Sequence, residues 1–124
     1  MKIAFIALAL SLASTAFSAD LKNCVLTKNG QRVKEIKKFN INKFDTEEPV
    51  ANIDGGLLDF QKNKNSTKMA FSNECDNIYD IEFSNKAIEL AKAGVFKKLI
   101  GKAEIGTADM ESPIKGIISC DVKN

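Results

Sequence analysis

Residues 77–83 read NIYDIEF, the strict alternation of apolar and polar side chains that is typical of a β-strand with one buried face. Tyr79, Ile81 and Phe83 would lie on one side of this strand, and Asp80 and Glu82 would lie on the other. Other segments on both sides of it have strand character and are separated by turn residues. The pattern therefore predicts a mainly β fold built around this segment.

Two predicted hairpins lie before this strand. Asn29-Gly30 suits a type I′ turn because both residues tolerate a positive φ, and Asp54-Gly55-Gly56 suits a second turn. Pro49 lacks a ladder N–H and marks a strand start. The other predicted strands are Leu21–Lys28, Gln31–Ile41, Val50–Asp54, Leu57–Gln61, Lys68–Phe71, Lys102–Met110 and Ile114–Val122.

One segment after the central strand favours a helix. Ser84 is suited to be its N-cap, and Gly101 is suited to end it. Gly94 would weaken such a helix, and the apolar runs around it are also compatible with strand. The apolar face would consist of Ile88, Ala91, Val95 and Leu99. The expected fold is mainly β, or α+β: an antiparallel meander or small barrel-like sheet with one helix near residues 85–100.

Residues 1–18 have the pattern of a cleavable secretory signal. Lys2 precedes the apolar run Ile3–Leu12, and cleavage after Ser18 would place Ala16 and Ser18 at the two positions that require small residues. The run is shorter than the roughly 20 residues that cross a bilayer. We therefore expect a single small domain at 19–124, secreted or periplasmic, without a later transmembrane segment. The short leader favours a bacterial source, and eukaryotic secretion is the alternative.

Three cysteines fall within the predicted domain. An oxidising compartment favours one disulfide and one odd thiol. Three pairings are open from the sequence; the positions at strand ends favour Cys75–Cys120 and leave Cys24 as the free thiol. The free thiol would be buried and inert, or would link two chains.

The charges nearly cancel, with 18 Lys and Arg against 16 Asp and Glu. This balance gives no electrostatic basis for nucleic-acid binding. The sign of the charge alternates along the chain with the spacing of successive antiparallel elements, which predicts strands whose opposite charges face one another. A second interpretation is a basic docking patch for an acidic partner, formed by Lys34, Lys37, Lys38 and Lys43.

The chain contains no histidine, which excludes Ser-His-Asp and Cys-His catalysis and the ordinary zinc hydrolase sites. It also lacks a Cys-x-x-Cys pair and a phosphate-binding glycine loop. Carboxylate chemistry is left, through Asp54 with Asp59 or Glu47 with Glu48. A calcium site with an atypical spacing is the other possibility, with the ligands Asp76, Asn77, Asp80 and Glu82.

These observations predict a non-enzymatic binding protein without a cofactor or metal: an inhibitor, an immunity-type protein or a ligand-binding module. Its expected partner is another protein or an envelope component. One alternative is a structural surface or matrix component cross-linked through the odd cysteine. A second alternative is a small carboxylate-dependent hydrolase.

Overall fold

The described residues of the computed structural model, which are 19–33, 37–73, 77–107 and 113–123, form nine strands and one helix. All strand pairs are antiparallel. In chain order the elements are β1 (Asp20–Lys28), β2 (Gln31–Arg32), β3 (Phe39–Asn42), β4 (Val50–Ala51), β5 (Gly56–Lys62), β6 (Ser66–Ser72), β7 (Asn77–Ser84), α1 (Asn85–Lys92), β8 (Lys98–Thr107) and β9 (Ile114–Lys123).

The strands form one sheet in the order β4-β3-β1-β9-β8-β7-β6-β5, with β2 beside β1. Strands β5 to β9 are neighbours in chain order, and β9 then pairs with β1. The two end strands, β4 and β5, contact each other, so the sheet is nearly a closed barrel. The predicted meander or barrel-like sheet is confirmed.

The first predicted hairpin is confirmed. Asn29 and Gly30 have φ values of 50° and 79°, and Lys28 pairs with Gln31 across the turn. The single predicted return strand over 31–41 is wrong, because it is divided into β2 and β3, which both pair with β1. The hairpin at 54–56 is also wrong: β4 pairs with β3, and β5 pairs with β6.

The helix begins as predicted but ends early. The Ser84 side chain caps its start by accepting from the Ala87 N–H, and α1 ends at Lys92. The N–H of Gly94, at φ 80°, donates to the Ala91 carbonyl, and the N–H of Val95 donates to that of Leu90. This is a Schellman C-cap, which uses the glycine that can adopt a positive φ.

Three predictions for the second half of this segment are therefore corrected. Gly101 does not end the helix but lies inside β8, where a Cβ would meet the Phe83 ring and the Glu82 carbonyl. Val95 is 62% exposed and does not join the buried helix face. Leu99 is buried, but as a residue of β8.

Alternating side chains of the strands fill the interior of the barrel. In β7, Tyr79, Ile81 and Phe83 are buried as the alternation predicted. The buried Tyr79 hydroxyl accepts from the Asn73 side chain at 2.7 Å. Other fully buried side chains of this core are Leu21, Leu26, Ile41, Phe44, Met69, Phe71, Leu99 and Ile118.

A disulfide joins Cys24 of β1 to Cys120 of β9. Both residues are buried, and Cys24 lies where the register between the two strands shifts, between Lys22 and Val25. The predicted pairing of Cys75 with Cys120 and the assignment of Cys24 as the free thiol are therefore wrong. Cys75 lies outside the described residues. The two bonded cysteines face each other because β1 and β9, from opposite ends of the chain, are neighbours in the sheet.

Candidate functional site

A pocket of about 400 Å³ lies at one end of the barrel, between α1, the turn from β5 to β6 and the loop from β3 to β4. This volume is within the range of small-molecule sites. We call it the helix-end pocket. It is lined by Asp45, Phe60, Lys62, Asn63, Lys64, Thr67, Asn85, Ile88, Glu89 and Lys92.

The apolar part of the helix-end pocket comes from β5 and α1. Phe60 pairs with the buried Met69, and Lys62 pairs with the buried Thr67, so the register places Phe60 and Lys62 on the inner side of the sheet. Phe60 packs against the core, whereas Lys62 lies at the end of its strand and is exposed. Ile88, on the buried face of α1, adds a second apolar surface.

A network around Asn85 holds the β5–β6 turn against the start of α1. The Asn85 side-chain oxygen accepts from the Thr67 hydroxyl at 2.6 Å. Its amide nitrogen donates to the carbonyls of Asn63 and Lys64, at 2.7 and 3.2 Å. Thr67 is buried, so this hydrogen bond satisfies a polar group that water does not reach. The network fixes the backbone that carries the Lys64 side chain.

Asp45 joins the opposite wall of the pocket to the end of the helix. One of its carboxylate oxygens lies 3.1 Å from the Lys92 Nζ, and the other accepts from the Ala19 backbone N–H at 3.2 Å. The Asp45 side chain is only 5% exposed, so solvent screens this ion pair less than a surface pair. The contact connects three separate parts of the chain.

The remaining charges of the pocket are not balanced. Lys62 and Lys64 form no ion pair with any residue that the structure describes. Glu89 is the one acid of the lining other than Asp45, which is already paired with Lys92. The pocket therefore combines an apolar surface with two unpaired ammonium groups, which suits a ligand with an apolar body and an anionic group.

A second, smaller concavity of about 250 Å³ lies on the outer face of β6, β7 and β8. We call it the outer groove. It is lined by Lys68, Met69, Asp80, Ile81, Glu82, Lys102, Ala103 and Glu104.

Opposite charges face one another across most of the outer groove. Glu82 stands between Lys68 and Lys102 in the register, and its carboxylate lies 3.8 Å from the Lys68 Nζ. Glu104 faces Lys115 of β9, with 3.9 Å between the charged atoms. The predicted matching of charges between neighbouring strands is confirmed on this face.

Asp80 is the exception in the outer groove. It stands directly opposite Glu104 in the register. Partial burial raises the pKa of Asp80, and the charges of Glu104 and Asp59 raise it further, whereas Lys68 lowers it. Like charges in directly opposite positions destabilise a sheet. The outer groove thus contains one local conflict within an otherwise matched surface.

The structure separates the lysines of the predicted docking patch. Lys37 and Lys38 are exposed before β3, and Lys43 is exposed after it, so the length of β3 lies between them. The Lys43 N–H donates to the Asp20 carboxylate at 3.0 Å. Lys34 lies outside the described residues. The patch as a docking surface for a partner stays a prediction.

The candidate carboxylate pairs are on separate surface segments. Asp54 lies in the loop before β5, and Asp59 lies on β5, where its carboxylate accepts from the Gln61 side chain at 3.0 Å. Glu47 and Glu48 are exposed in the loop from β3 to β4. None of these four carboxylates lines the helix-end pocket or the outer groove.

The proposed calcium ligands are also spread out. Asp80 and Glu82 point outward from β7, and the Asn77 N–H donates to the Asn73 side chain. Asp76 lies outside the described residues. Within the described ranges, no group of three or more His, Cys, Asp or Glu side chains is placed to hold a metal ion.

No protein-family model matches the chain, and neither the curated proteins nor the solved structures contain a significant match to it. In the part of the chain that the structure describes, no helix has the length and apolar character needed to cross a membrane.

Sequence reasoning did not identify the helix-end pocket. Its residues come from segments up to 47 positions apart, from Asp45 to Lys92, and none of them forms a motif. The charge of Lys62 and Lys64 was visible in the sequence, but their separation from acids depends on the register of β5 and β6. Only the fold reveals which charges are matched and which are not.

Proposed function

We propose that this chain is an exported, non-enzymatic binding protein that holds a small ligand in the helix-end pocket. The ligand has an apolar body, which would contact Phe60 and Ile88, and an anionic group, which would interact with Lys62 and Lys64. The observation that carries this proposal is the presence of two unpaired ammonium groups beside an apolar surface in a pocket of ligand size.

Export is supported by two features. The leader at 1–18 has the composition of a secretory signal, and the disulfide between Cys24 and Cys120 is of a kind that persists in oxidising compartments. We propose that the protein works in the periplasm or the external medium.

The charge distribution favours the ligand-binding module over an inhibitor or an immunity-type protein. A surface that binds a charged protein partner offers complementary charge to it. In the outer groove, the charges of Lys68, Glu82 and Glu104 are already matched by neighbours within the barrel. Among the described residues, the lining of the helix-end pocket keeps two unpaired lysines and one unpaired acid, Glu89, so one positive charge is left for an anionic ligand.

Isothermal titration calorimetry with decyl sulfate tests this function, because decyl sulfate combines an apolar chain with one anionic group. We expect saturable binding at one site, and no comparable binding of decyltrimethylammonium, which has the same chain and the opposite charge. Lys62→Gln with Lys64→Gln should weaken the binding of decyl sulfate about 10- to 100-fold, because two charge-assisted contacts are lost.

Two matched variants are the controls for this titration. Lys86→Gln removes a lysine of α1 that does not line the pocket, and Lys68→Gln removes a lysine of the outer groove. Both should bind decyl sulfate as the unchanged protein does. Equal affinity for the anionic and cationic probes, or equal weakening by all of the lysine variants, would contradict the proposed site.

A further inference from the structure

The strongest further observation concerns the first described residue of the chain. Ala19 is 3% exposed, and its backbone nitrogen donates to the nearly buried carboxylate of Asp45 at 3.2 Å. The other oxygen of that carboxylate already faces the Lys92 ammonium group. Asp45 thus presents one oxygen to a cation and the other to the nitrogen of Ala19.

The chemical state of that nitrogen depends on processing. In the uncut chain it is a neutral amide. Hydrolysis of the bond between Ser18 and Ala19, by a signal peptidase using one water molecule, would leave a carboxylate on Ser18 and an ammonium group on Ala19. The sequence predicts cleavage at this bond, since Ala16 and Ser18 are the small residues that such an enzyme requires.

We propose that Asp45 is the binding site for the new N-terminus, so that removal of the leader creates a second ion pair at this carboxylate. Each oxygen of Asp45 then has its own cation: the α-ammonium group of Ala19 and the Nζ of Lys92. A charge-assisted hydrogen bond is about twice as strong as a neutral one. In this nearly buried position it is also poorly screened.

The new ion pair would join three segments that are distant in sequence. Ala19 begins the segment that leads into β1, Asp45 lies in the loop from β3 to β4, and Lys92 is the last residue of α1. Maturation would therefore hold the helix and the loop against the start of β1. This inference rests on the predicted cleavage and not on the proposed ligand, because the ion pair stabilises the fold whether or not the pocket is filled.

The first test is the identity and reactivity of the N-terminus. The full-length chain is expressed in a host that exports it. The intact mass of the purified product should then correspond to a first residue of Ala19. The α-amine should react with acetic anhydride at least 10-fold more slowly in the folded protein than in urea, as measured by mass spectrometry of the N-terminal peptide. A different first residue, or an amine that reacts equally fast in both states, would overturn the proposal.

The second test separates the charge of the new N-terminus from its position. An Ala-Gly insertion between Ser18 and Ala19 keeps the cleavage site but leaves the nitrogen of Ala19 as an amide. Alone, the insertion should lower the Tm by roughly 4–8 °C. In an Asp45→Asn chain the same insertion should have little effect, because contacting groups behave non-additively.

Asp54→Asn, in an exposed loop, is the control for the loss of a carboxylate, and the insertion should keep its full effect in that chain. If Asp45→Asn does not fold, the insertion is instead tested in a Lys92→Gln chain, where the expected result is different. Because one cation of Asp45 is then missing, the insertion should lower the Tm of the Lys92→Gln chain by at least as much as it does in the unchanged chain. Equal losses in the unchanged and the Asp45→Asn chains, or no loss from the insertion in the Lys92→Gln chain, would refute the ion pair.

Discussion

On the outer face of β6, β7 and β8, Glu82 stands between two lysines and Glu104 faces a third, whereas at the helix-end pocket Lys62 and Lys64 have no acidic partner among the described residues. The two regions use the same residue types on neighbouring parts of one sheet. Cross-strand pairing satisfies the charges of the first region within the protein. The second region keeps its charge because its lysines lie where the strands end.

The two regions also differ in how their polar groups are held. The ion pairs of the outer groove join exposed side chains, which contribute little to stability. The polar contacts of the helix-end pocket involve the buried Thr67 and the nearly buried Asp45. Substitutions at the pocket should therefore cost more free energy of unfolding than comparable substitutions on the outer groove.

The largest expected effect comes from the disulfide between β1 and β9. Replacing Cys24 and Cys120 by alanine, in a Cys75→Ala chain that cannot form other bridges, should lower the free energy of unfolding by about 2–5 kcal/mol. The bond closes a loop between residues 96 positions apart. Urea unfolding of the double variant and of its Cys75→Ala parent measures the difference.

The same experiment tests whether the pocket and the outer groove belong to one cooperative barrel. Circular dichroism of the strands and binding of decyl sulfate should be lost at the same urea concentration in both chains. If loss of the disulfide weakened binding well before the strands unfolded, the pocket would be a separate unfolding unit, and the comparison of the two regions would fail.

The second effect in size is expected at Asn85. Asn85→Ala would leave the Thr67 hydroxyl and the carbonyls of Asn63 and Lys64 without their partner. We expect a loss of about 1–3 kcal/mol in the free energy of unfolding, because at least one of these groups is buried. Lys86→Ala, at the next position of the helix, should change it little. Urea midpoints that are equal for the two variants would contradict the role given to Asn85.

The local pattern of the sequence was sufficient wherever adjacent residues decide the structure. The alternation around Tyr79, Ile81 and Phe83 predicted β7, and Asn29-Gly30 predicted the first turn. Ser84 predicted the helix start. These features depend on side chains within a few positions of one another, so the sequence alone contains the information that they need.

The sequence predictions are wrong where contacts between distant segments determine the structure. Gly94 and Gly101 could each end the helix, and the choice between them was made by β8, which begins at Lys98 and needs Gly101 as an inner residue beside Phe83. The sequence alone does not pair Cys24 with Cys120, because nothing in it shows that β1 and β9 are neighbours. The helix-end pocket was missed for the same reason, since Asp45, Thr67 and Asn85 meet only in the folded barrel.

The third effect in size is expected at Glu82, in the matched part of the outer groove. Glu82→Gln removes the partner of Lys68 and Lys102. The loss should be only about 0.2–1 kcal/mol, because these side chains are partly exposed and the pairs are screened by salt. The difference from the unchanged protein should shrink in 1 M sodium chloride. A loss as large as that of Asn85→Ala would remove the contrast between the two regions.

The smallest expected effect is at Asp80, on the same strand as Glu82. Its substitution should increase the free energy of unfolding, whereas the substitutions above lower it. Burial first, and then Glu104 and Asp59, raise the pKa of Asp80 above its ordinary value of 3.8. The folded protein therefore binds this proton more readily than the unfolded chain does. Protonated Asp80 therefore adds stability to the folded state. This contribution is fully present below pH 3.8 and is lost as the pH rises through the folded-state pKa of Asp80.

Asp80→Asn removes the charge that stands opposite Glu104, so it should stabilise the protein at pH 7 by a few tenths of a kcal/mol. Its advantage over the unchanged protein should shrink as the pH falls through the folded-state pKa towards 3.8, and it should be lost at lower pH, where Asp80 is protonated in both states. Urea unfolding of Asp80→Asn and Glu82→Gln at pH 7 and pH 3 measures both effects under the same conditions. In β8, Asp80 faces an acid, Glu104, and Glu82 faces a base, Lys102. Opposite signs at pH 7 would therefore support the role of the register of β7 and β8 in these effects. A loss of stability in Asp80→Asn at pH 7 would show that Asp80 has a favourable partner.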